Sequence, residues 1–338
     1  MEKPVAVLIS DEHYTPSSLS IAHAAMTQAL RKAEELKVPL ISCGDLLDSK
    51  AIIRAECANA LIELFSEAKT RIVILVGNHT LLNEKGSAHS LNFLKPYADI
   101  MQSPIKDHKL DLWFIPYQSD SDTLKSVLKG IPAGSTLIMH QGVQGANMGH
   151  YVKDSSSLPA EYYSDFRVIS GHYHRAQDIK CGRPRKGAVG LFSYIGTPYS
   201  VSFSEAEDGP KGFKILYSDG LMELVPTNLR KHIVVTREVI NALDPIPEYK
   251  PGDLVWFKLV GHSIALSECK KEHIGKTLFG HSNFKLEKIP TDLAESKVET
   301  KQLKDWELLD NLIERAGQSD TDKKELKDLW RELLGETS

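Results

Sequence analysis

Short apolar runs of strand length alternate with longer segments of helical periodicity over the first 140 residues of the chain. Between residues 17 and 37 the apolar positions recur every three or four residues, as on one face of an amphipathic helix. In chain order, the pattern predicts strands at 5–10, 40–43, 71–76, 110–115 and 136–140, and helices at 17–37 and 51–68. Strands that alternate with helices are typical of βαβ units, so the sequence predicts a layered α/β core.

The pattern changes after residue 165. Strand-sized runs follow one another there without intervening helices, joined by turns that contain glycine or proline, at 166–170, 190–195, 213–217 and 221–225. We therefore expect a second, mostly antiparallel sheet that packs on the first. The segment 141–164 has little periodicity and is predicted to be a long loop, of the kind that is often functional.

Three parts of the chain differ in pattern, and we expect domain boundaries between them, at 1–230, 231–290 and 291–338. The first part carries the α/β core. The second has strand-sized runs, several prolines and one helical segment, which predict a small α+β domain. The third is dense in charge and has two apolar stripes at helical spacing, separated by a Gly-Gln-Ser-Asp break, which predict a helix–turn–helix tail.

Composition and charge exclude several classes of protein. The 338 residues are 41% hydrophobic and 25% charged, which is typical of a globular protein. A formal net charge of −4 argues against a protein coated with positive charge, although a local basic patch is compatible with it. The four cysteines include no CxxC pair, which disfavours a zinc ribbon or a disulfide framework and favours a reducing compartment.

The apolar runs are far shorter than the ~20 residues that a membrane span needs, and the N-terminal region does not resemble a signal peptide. We expect a cytoplasmic protein that does not bind membranes.

Polar side chains follow nearly every predicted strand of the core, at 11–13, 44–48, 77–79, 140 and 171–174. Ligands of open α/β sheets bind outside the carboxyl ends of the strands, so these side chains should converge on one crevice. Carboxylates, imidazoles and amides without thiolates suit a divalent ion such as Mn²⁺, Fe²⁺ or Zn²⁺. The candidates are too many for one ion but suit two ions that share a carboxylate. Two such ions ~3.5–4 Å apart can hold a bridging hydroxide that attacks phosphorus.

In order along the chain, the motifs D-x-H, G-D-x-x-D, G-N-H, a single His after a strand, and G-H-x-H resemble the calcineurin-like metallophosphoesterase superfamily over roughly residues 5–230. The resemblance implies a four-layer α/β/β/α sandwich as the fold of the core, with the cap at 231–290 and the helical tail at 291–338 appended to it. It also implies a hydrolase with two divalent metal ions, for which we expect Mn²⁺, with Fe²⁺, Zn²⁺ and Mg²⁺ as alternatives.

Carried over by position, the family's metal ligands are seven residues of this chain. One ion would be bound by Asp11, His13 and His174. The other would be bound by Asn78, His140 and His172. Asp45 would bridge the two ions.

His79 matches the family's unmetallated histidine, which stabilises the transition state and protonates the leaving oxygen. The family usually has an acidic residue directly after this histidine, whereas this chain has Thr80. The carboxylate that commonly orients the histidine is therefore missing or supplied from elsewhere. Asp48, in the second motif, is either part of the site or the N-cap of the helix that follows.

A narrower resemblance covers 194–199, Phe203, Glu205 and 211–213, which are similar to the stretch after G-H-x-H in SbcD-type DNA repair nucleases. This resemblance implies a DNA nuclease whose small cap contacts DNA and whose C-terminal helices dock on the coiled-coil base of an SbcC-type ATPase. It also implies a homodimer. The tail could instead fold back on its own domain.

Local charge is compatible with DNA. Residues 171–237 contain ten basic and six acidic side chains, in a chain that is acidic as a whole. Arg183, Arg185 and Lys186 follow the G-H-x-H loop and could neutralise phosphates beside the metals, or simply be solvated. Four tyrosines could stack on bases or pack in the crevice, namely Tyr151, Tyr162, Tyr173 and Tyr199.

Three functions are thus open: a DNA nuclease that acts with an ATPase, a small-molecule phosphodiesterase of the same superfamily acting on nucleotides or cyclic nucleotides, and a weakly catalytic DNA-binding subunit.

Overall fold

The computed structural model describes residues 2–50, 52–83, 88–149, 152–250, 252–280 and 284–291. By their contacts, the residues fall into two units. The first contains Met1–Ile233 and Tyr249–Leu254, and the second contains Val234–Glu248 and the described residues from Val255 onwards. All of the predicted tail after residue 291 lies outside the described residues. The roles expected for the core, the cap and the tail stay predictions.

The first unit contains the predicted alternation of strands and helices. Its described strands are β1 (Pro4–Ile9), β2 (Leu40–Ser42), β3 (Ile72–Leu75), β4 (Asp99–Met101), β5 (Ile105–Asp107), β6 (Leu112–Ile115), β7 (Thr136–His140), β8 (Asn147–Gly149), β9 (Val152–Lys153), β10 (Arg167–Gly171), β11 (Gln177–Lys180), β12 (Leu191–Tyr194), β13 (Gly212–Tyr217) and β14 (Met222–Pro226). Its α-helices are α1 (Leu19–Leu36), α2 (Ala55–Ser66) and α3 (Ser121–Lys129), and short 3-10 helices lie at Ser90–Leu94, Ala160–Tyr163 and Phe203–Glu205. The predicted loop at 141–164 thus holds the paired antiparallel strands β8 and β9 and one 3-10 helix.

The first sheet has the order β14-β13-β1-β2-β3-β4. Strands β1 to β4 are parallel, and β13 and β14 extend the sheet in antiparallel fashion on the other side of β1. In the middle of the sheet, Val7 of β1 lies beside Leu40 on one neighbour and Ile215 on the other. A strand covered on both faces needs apolar side chains on both, which is why β1 is a continuous apolar run.

The second sheet has the order β11-β12-β10-β7-β6-β5. Its four inner strands are parallel, and only β5 and β11 at its edges are antiparallel to their neighbours. The prediction of a mostly antiparallel second sheet is therefore wrong. Strand β11 pairs at the edge of the sheet rather than between β10 and β12, so β12 lies next to β10 and parallel to it. Strands β13 and β14 belong to the first sheet and not to the second.

Three apolar clusters show how the layers pack. Helices α1 and α2 cover the outer face of the first sheet with side chains such as Ala29 and Leu61. The two sheets face each other across side chains such as Leu8 and Phe114. Helix α3, with Leu124, covers the outer face of the second sheet. The predicted four-layer α/β/β/α architecture is confirmed.

The second unit is a small α+β structure. It contains most of β15 (His232–Glu238) and of β16 (Leu254–Gly261), and all of β17 (Lys285–Pro290), in the order β15-β16-β17. It also contains a 3-10 helix at Val239–Asn241, helices α4 (Ser263–Glu268) and α5 (Lys271–Ile274), and a π-helical turn at Gly275–Phe279. Alternate residues of β16, among them Phe257 and Leu259, are buried with Phe279 of the π-helical turn, which gives this unit its own small core. No helix among the described residues is long and apolar enough to cross a membrane.

The contact between the two sheets predicts where the core is most sensitive to substitution. Phe114→Ala, at a side chain with no exposed surface, should lower the free energy of unfolding by about 3–5 kcal/mol because it leaves a cavity between the sheets. Leu221→Ala, at a side chain that is 65% exposed, is the control and should change it by less than about 0.5 kcal/mol. Urea denaturation followed by circular dichroism measures both, and equal effects would contradict this packing.

Candidate metal centre

Five strands bring their carboxyl ends to one edge of the sandwich. Asp11 and His13 follow β1, Asp45 follows β2, and Asn78 follows β3, all in the first sheet. His140 ends β7, and His172 and His174 follow β10, in the second sheet. Hydrogen bonds join the two sheets here: the His172 N–H donates to the Asp11 carboxylate at 3.1 Å, and His140 Nδ1 lies 2.8 Å from the Cys43 carbonyl oxygen. The structure thus brings together all seven residues that the sequence singled out as ligands.

Among the residues that the structure describes, side chains at this edge form three groups of histidines and aspartates that could hold a metal ion. Within each group, the ligand atoms lie within 4.8 Å of one another. The groups are Asp11–His13–His174, Asp45–His140–His172 and His13–Asp48–His79. The first two groups correspond to the two ligand sets that the resemblance implies, except that Asn78 is not a member of either group. The third group contains Asp48.

The backbone at these residues is strained. Asp11 (φ 55°), His13 (φ 45°), Asp45 (φ 55°) and His172 (φ 93°) all have a left-handed conformation. For a residue other than glycine this conformation costs roughly 1–2 kcal/mol, and it persists only where the surroundings enforce it. Backbone hydrogen bonds from Asp11, His13 and Tyr14 to residues 44–46 hold the two loops together. Strain shared by four neighbouring polar residues points to a functional constraint on where their side chains lie.

Two glycines are required by close approach at this edge. A Cβ on Gly77 would lie 2.2 Å from Asp45 Oδ1. A Cβ on Gly44, whose φ is also 110°, would lie 2.3 Å from the His140 ring. Any larger residue at either position would displace a candidate ligand.

In the first group, two imidazole nitrogens face each other. His13 Nε2 lies 3.1 Å from His174 Nε2. His174 Nδ1 lies 2.7 Å from Glu205 Oε1, so its proton is placed on Nδ1 and the Nε2 lone pair faces His13. His13 Nδ1 lies 3.1 Å from Asp48 Oδ1, whose negative charge attracts a proton to that nitrogen. With both Nε2 atoms unprotonated, their lone pairs face each other, an arrangement that a cation between them stabilises.

In the second group, acceptor atoms also face one another. His140 Nδ1 donates to the Cys43 carbonyl, and His140 Nε2 lies 3.0 Å from both Asp45 Oδ2 and Asn78 Oδ1. His172 Nδ1 lies 2.9 Å from the same Asn78 oxygen. A neutral His140 would thus present a lone pair to two oxygen acceptors.

The pKa values reveal how the protein tolerates this contact without a metal. Burial disfavours the charged form of His140, but the negative charge of Asp45 and its hydrogen bond outweigh burial and raise the pKa of His140 to about 9. Burial likewise opposes ionisation of Asp45, but the positive charge of His140 holds the pKa of Asp45 well below its usual range. Burial and the charge of His140 lower the pKa of His172 to about 4. A proton on His140 thus occupies the position of a cation, and the donor set fits divalent metal ions.

His79 lies at the mouth of this centre, and its side chain is 39% exposed. Its backbone N–H donates to Asp45 Oδ1 at 2.9 Å, and its Nδ1 lies 2.8 Å from the backbone carbonyl oxygen of Asp48. The Asp48 carboxylate is 4.0 Å from the same nitrogen. Thr80, at the position of the family's acidic residue, is buried and donates its hydroxyl to the Gly77 carbonyl. A backbone carbonyl therefore orients the His79 ring here.

Asp48 belongs to this site and does not cap a helix. Helix α2 begins at Ala55, four residues later than predicted, because Arg54 has an extended backbone. A hydrogen bond to His13 lowers the pKa of Asp48, which favours its ionised form.

A buried ion-pair network lies behind His174. It contains Glu205 and Lys211, two residues of the stretch that is similar to SbcD-type nucleases. Glu205 is bonded to His174 Nδ1 through one oxygen, and its other oxygen lies 3.0 Å from Lys211 Nζ. Lys211 also donates to Asp208 and to the His174 carbonyl, each at 2.9 Å. Although burial opposes it, the hydrogen bond from His174 and the charge of Lys211 lower the pKa of Glu205 to about 2. Glu205 is therefore a charged group that fixes the ring and tautomer of His174.

Tyr117 is a site residue that the sequence analysis missed. It follows β6, a strand parallel to β7, and its ring centroid lies 5.9 Å from that of His172 and 6.5 Å from that of His140. Site residues in this fold follow the carboxyl ends of parallel strands, and Tyr117 follows β6 in the same way. Its position after a predicted strand could therefore have identified it from the sequence.

The three basic residues predicted to lie beside the metals are at the other end of the sheet. Strand β11 starts near His174 and runs away from it. Its last residue, Lys180, pairs with Leu191 of β12, and Leu191 pairs with Arg167 at the amino end of β10. The end of β11 therefore lies at the edge of the sheet opposite the metal centre. The loop that carries Arg183, Arg185 and Lys186 follows directly and is exposed there. Arg185 pairs with Asp165 at 3.1 Å. The expectation that this loop neutralises phosphates at the metal centre is therefore wrong.

Tyr173 is not placed to stack on a base. It is 8% exposed, its hydroxyl donates to Asp154 at 2.6 Å, and its ring packs against those of His172 and Tyr194. Tyr199 is also buried and donates its hydroxyl to the Glu12 carbonyl, whereas Tyr162 is exposed and Tyr151 lies outside the described residues. These two buried tyrosines support the shape of the site instead.

Comparisons with known proteins give a distant likeness and no family. No protein-family profile matches the chain, and no curated protein matches it. Among solved structures, one described as a novel archaeal phosphodiesterase is similar over 65% of this chain and 98% of its own, with 13% identity and a TM-score of 0.35. At that identity and score, the likeness assigns neither an activity nor site residues.

The geometry predicts that Asp45 is indispensable for metal binding. Asp45→Ala should abolish binding of Mn²⁺ because it removes the carboxylate that lies 3.0 Å from His140 and that we expect the two ions to share. Elemental analysis after dialysis against Mn²⁺ measures the content. Asp178→Ala, at an exposed aspartate on β11, is the matched control and should keep the parent's content. Unchanged occupancy in Asp45→Ala would contradict the bridging role.

The raised pKa of His140 predicts the pH dependence of metal uptake. Below about pH 9 the metal-free protein keeps His140 protonated, and the ion must displace that proton. Affinity for Mn²⁺ should therefore rise between pH 6 and 9, by up to about tenfold per unit for one proton, and level off above. Calorimetry at several pH values measures it. Burial raises the pKa of Glu12 to about 8, so Glu12→Gln separates that group from His140. An affinity independent of pH in both proteins would contradict the prediction.

Proposed function

We propose that this protein is a metallophosphoesterase that hydrolyses phosphodiesters with two divalent metal ions, and that its substrate is DNA. The observation that carries the proposal is the meeting of buried carboxylate, amide and imidazole acceptor atoms at one edge of the fold. These atoms face one another at about 3 Å, as His140 does with Asp45 and Asn78, and cations relieve that contact.

The residues present can divide the work between two ions. Asp11, His13 and His174 would hold one ion, and Asn78, His140 and His172 would hold the other, with Asp45 shared. When bound, such ions supply Lewis-acid chemistry and neutralise the charge of a phosphate, and Mn²⁺ is the metal that we expect. Glu205 and the Cys43 carbonyl keep His174 and His140 in the tautomers that leave Nε2 free to bind.

His79 would act on the substrate directly. The Asp48 carbonyl accepts a hydrogen bond from His79 Nδ1–H and fixes the ring, which leaves Nε2 free to face a bound phosphate. In its protonated form the ring can stabilise charge on the phosphate and give a proton to the leaving oxygen. The Asp48 carbonyl orients the His79 ring, so an acidic residue is not needed at position 80 for this purpose. Thr80 at that position therefore does not favour the weakly catalytic DNA-binding subunit.

DNA as the substrate is supported by the residues that resemble SbcD-type nucleases. Of that stretch, Glu205, Lys211 and Thr197 surround His174, so the narrower resemblance falls on the border of the metal centre itself. Arg175, exposed and directly after His174, is better placed than the 183–186 loop to contact a phosphate of a polymer. An SbcC-type coiled-coil ATPase as partner, and a homodimer, are the further parts of this proposal.

A small-molecule phosphodiesterase is the second candidate. The observation in its favour is the position of Arg183, Arg185 and Lys186, which lie at the opposite end of the sheet from the centre and do not line it. Without these three residues, the positive charge near the metal centre does not require the substrate to be a long polyanion such as DNA.

One experiment separates the candidates and tests His79. The purified protein with Mn²⁺ should cleave end-labelled single- or double-stranded DNA in an assay run beside bis-p-nitrophenyl phosphate and cyclic nucleotides. His79→Ala should lower turnover by roughly 10²–10⁴-fold while the metal content stays that of the parent. His108→Ala, at an exposed histidine away from the centre, is the matched control.

Full activity of His79→Ala would rule out the role of this histidine. Cleavage of small esters alone would favour the second candidate, and cleavage of no phosphodiester at all would contradict the proposal.

A further inference from the structure

A cavity of about 550 Å³ opens beside the metal centre, where β3 and β6 end and α3 begins. This volume lies within the range of small-molecule binding sites, roughly 300–1,000 Å³. Its wall includes Val76, Leu81, Pro104 and Tyr117 as apolar or aromatic surface, and Gln102 and Gln118 as amides. The metal chemistry described above uses none of these residues.

Tyr117 belongs to both the cavity and the metal centre. It lines the cavity, and its ring is 5.9 Å from that of His172. Its backbone N–H donates to the Val76 carbonyl at 2.9 Å, which anchors it to the end of β3. Tyr117 is only half-buried, so part of its side chain is open to a ligand in the cavity.

The wall next to Tyr117 is held in place before any ligand binds. Gln141 Oε1 accepts from the Gln118 backbone N–H at 3.1 Å, and Gln141 Nε2 donates to the Gln118 carbonyl at 3.1 Å. Gln102 is held by a contact of 2.9 Å between its Oε1 and His89 Nε2. A preorganised wall loses little conformational freedom on binding, which favours a specific ligand.

The chemistry of the wall selects the kind of group that fits. Among the described residues that line the cavity there is no lysine or arginine, and Asp120 contributes a negative charge, so a second phosphate is disfavoured. An aromatic face, apolar side chains and amides suit a flat, neutral ring with polar edges. Nucleobases have this character, and they stack readily on tyrosine.

We infer that this cavity is the subsite for the nucleobase of the nucleotide that carries the scissile phosphate, with Tyr117 as the stacking residue. The inference rests on the proposed function and makes its substrate a nucleotide ester rather than an arbitrary phosphodiester.

Two esters that differ only in the base-bearing group test this subsite. The probes are thymidine 5′-(p-nitrophenyl phosphate) and methyl p-nitrophenyl phosphate, hydrolysed by the Mn²⁺-loaded protein. Tyr117→Leu, which keeps an apolar side chain of similar reach, should lower kcat/KM for the thymidine ester about 5- to 100-fold more than for the methyl ester. Tyr117→Phe should stay within about threefold of the parent in this ratio, because the ring is retained. Tyr97→Ala, at an exposed tyrosine, is the matched control.

A binding measurement that needs no turnover accompanies the kinetics. Saturation-transfer NMR with thymidine 5′-monophosphate and the metal-free protein should show contact with the base, and Tyr117→Leu should lose that signal.

Equal loss for both esters would mean that Tyr117 acts only by supporting His172, and it would overturn the subsite. If the parent protein hydrolyses neither ester, the proposed function fails, whereas the NMR result with the parent and Tyr117→Leu still decides the subsite. Absence of a base signal in the parent protein would contradict the inference.

Discussion

The whole arrangement depends on acceptor atoms that are buried against one another at the carboxyl edge of two sheets. Asp45, Asn78 and His140 converge there within hydrogen-bond distance, and an ionised Asp45 buried among these acceptors needs a positive charge beside it. A buried charge without a partner costs several kcal/mol, so the folded protein must supply a cation at this point. In the metal-free protein the proton on His140 has that role, and divalent ions are its natural replacement.

This demand explains features that are otherwise unfavourable for folding. Left-handed backbone at Asp11, His13, Asp45 and His172 costs free energy, yet the loops are held in this form by hydrogen bonds and by the apolar layer between the sheets. A metal that binds only the folded state returns stability, by about 2.7 kcal/mol when its concentration is one hundred times its Kd. The sandwich therefore buries Asp11, Asp45 and His140, and bound ions would in turn stabilise the loops.

The sequence predicted the part of the site that depends on chain topology. Residues such as Asp11 and His140 could be located because parallel strands end at a common edge, and the alternation of strands and helices is visible in the apolar pattern. The partners that hold the rings were not predictable in the same way. Glu205 lies far from His174 along the chain, and the Asp48 contact with His79 uses a backbone carbonyl, which leaves no trace in residue type.

The errors have the same origin. Arg183, Arg185 and Lys186 follow the G-H-x-H loop closely in sequence, but one antiparallel strand carries them to the far end of the sheet. Nearness along the chain thus does not ensure nearness in space. Tyr117 also follows a strand of the same sheet, but tyrosine is not among the residue types of the metal-ligand motifs, so those motifs do not mark it. The edge pairing of β11, which made the second sheet mostly parallel, depends on long-range contacts that local patterns do not encode.

The most direct measurement is a crystal structure of the protein with Mn²⁺, with anomalous scattering data collected at the manganese absorption edge. Two anomalous peaks about 3.5–4 Å apart should appear, one beside His13 and His174 and one beside His140 and His172, with Asp45 between them. A fully formed edge with no anomalous peak at these side chains, in crystals grown at saturating Mn²⁺, would contradict the claim that this fold is built around a pair of cations.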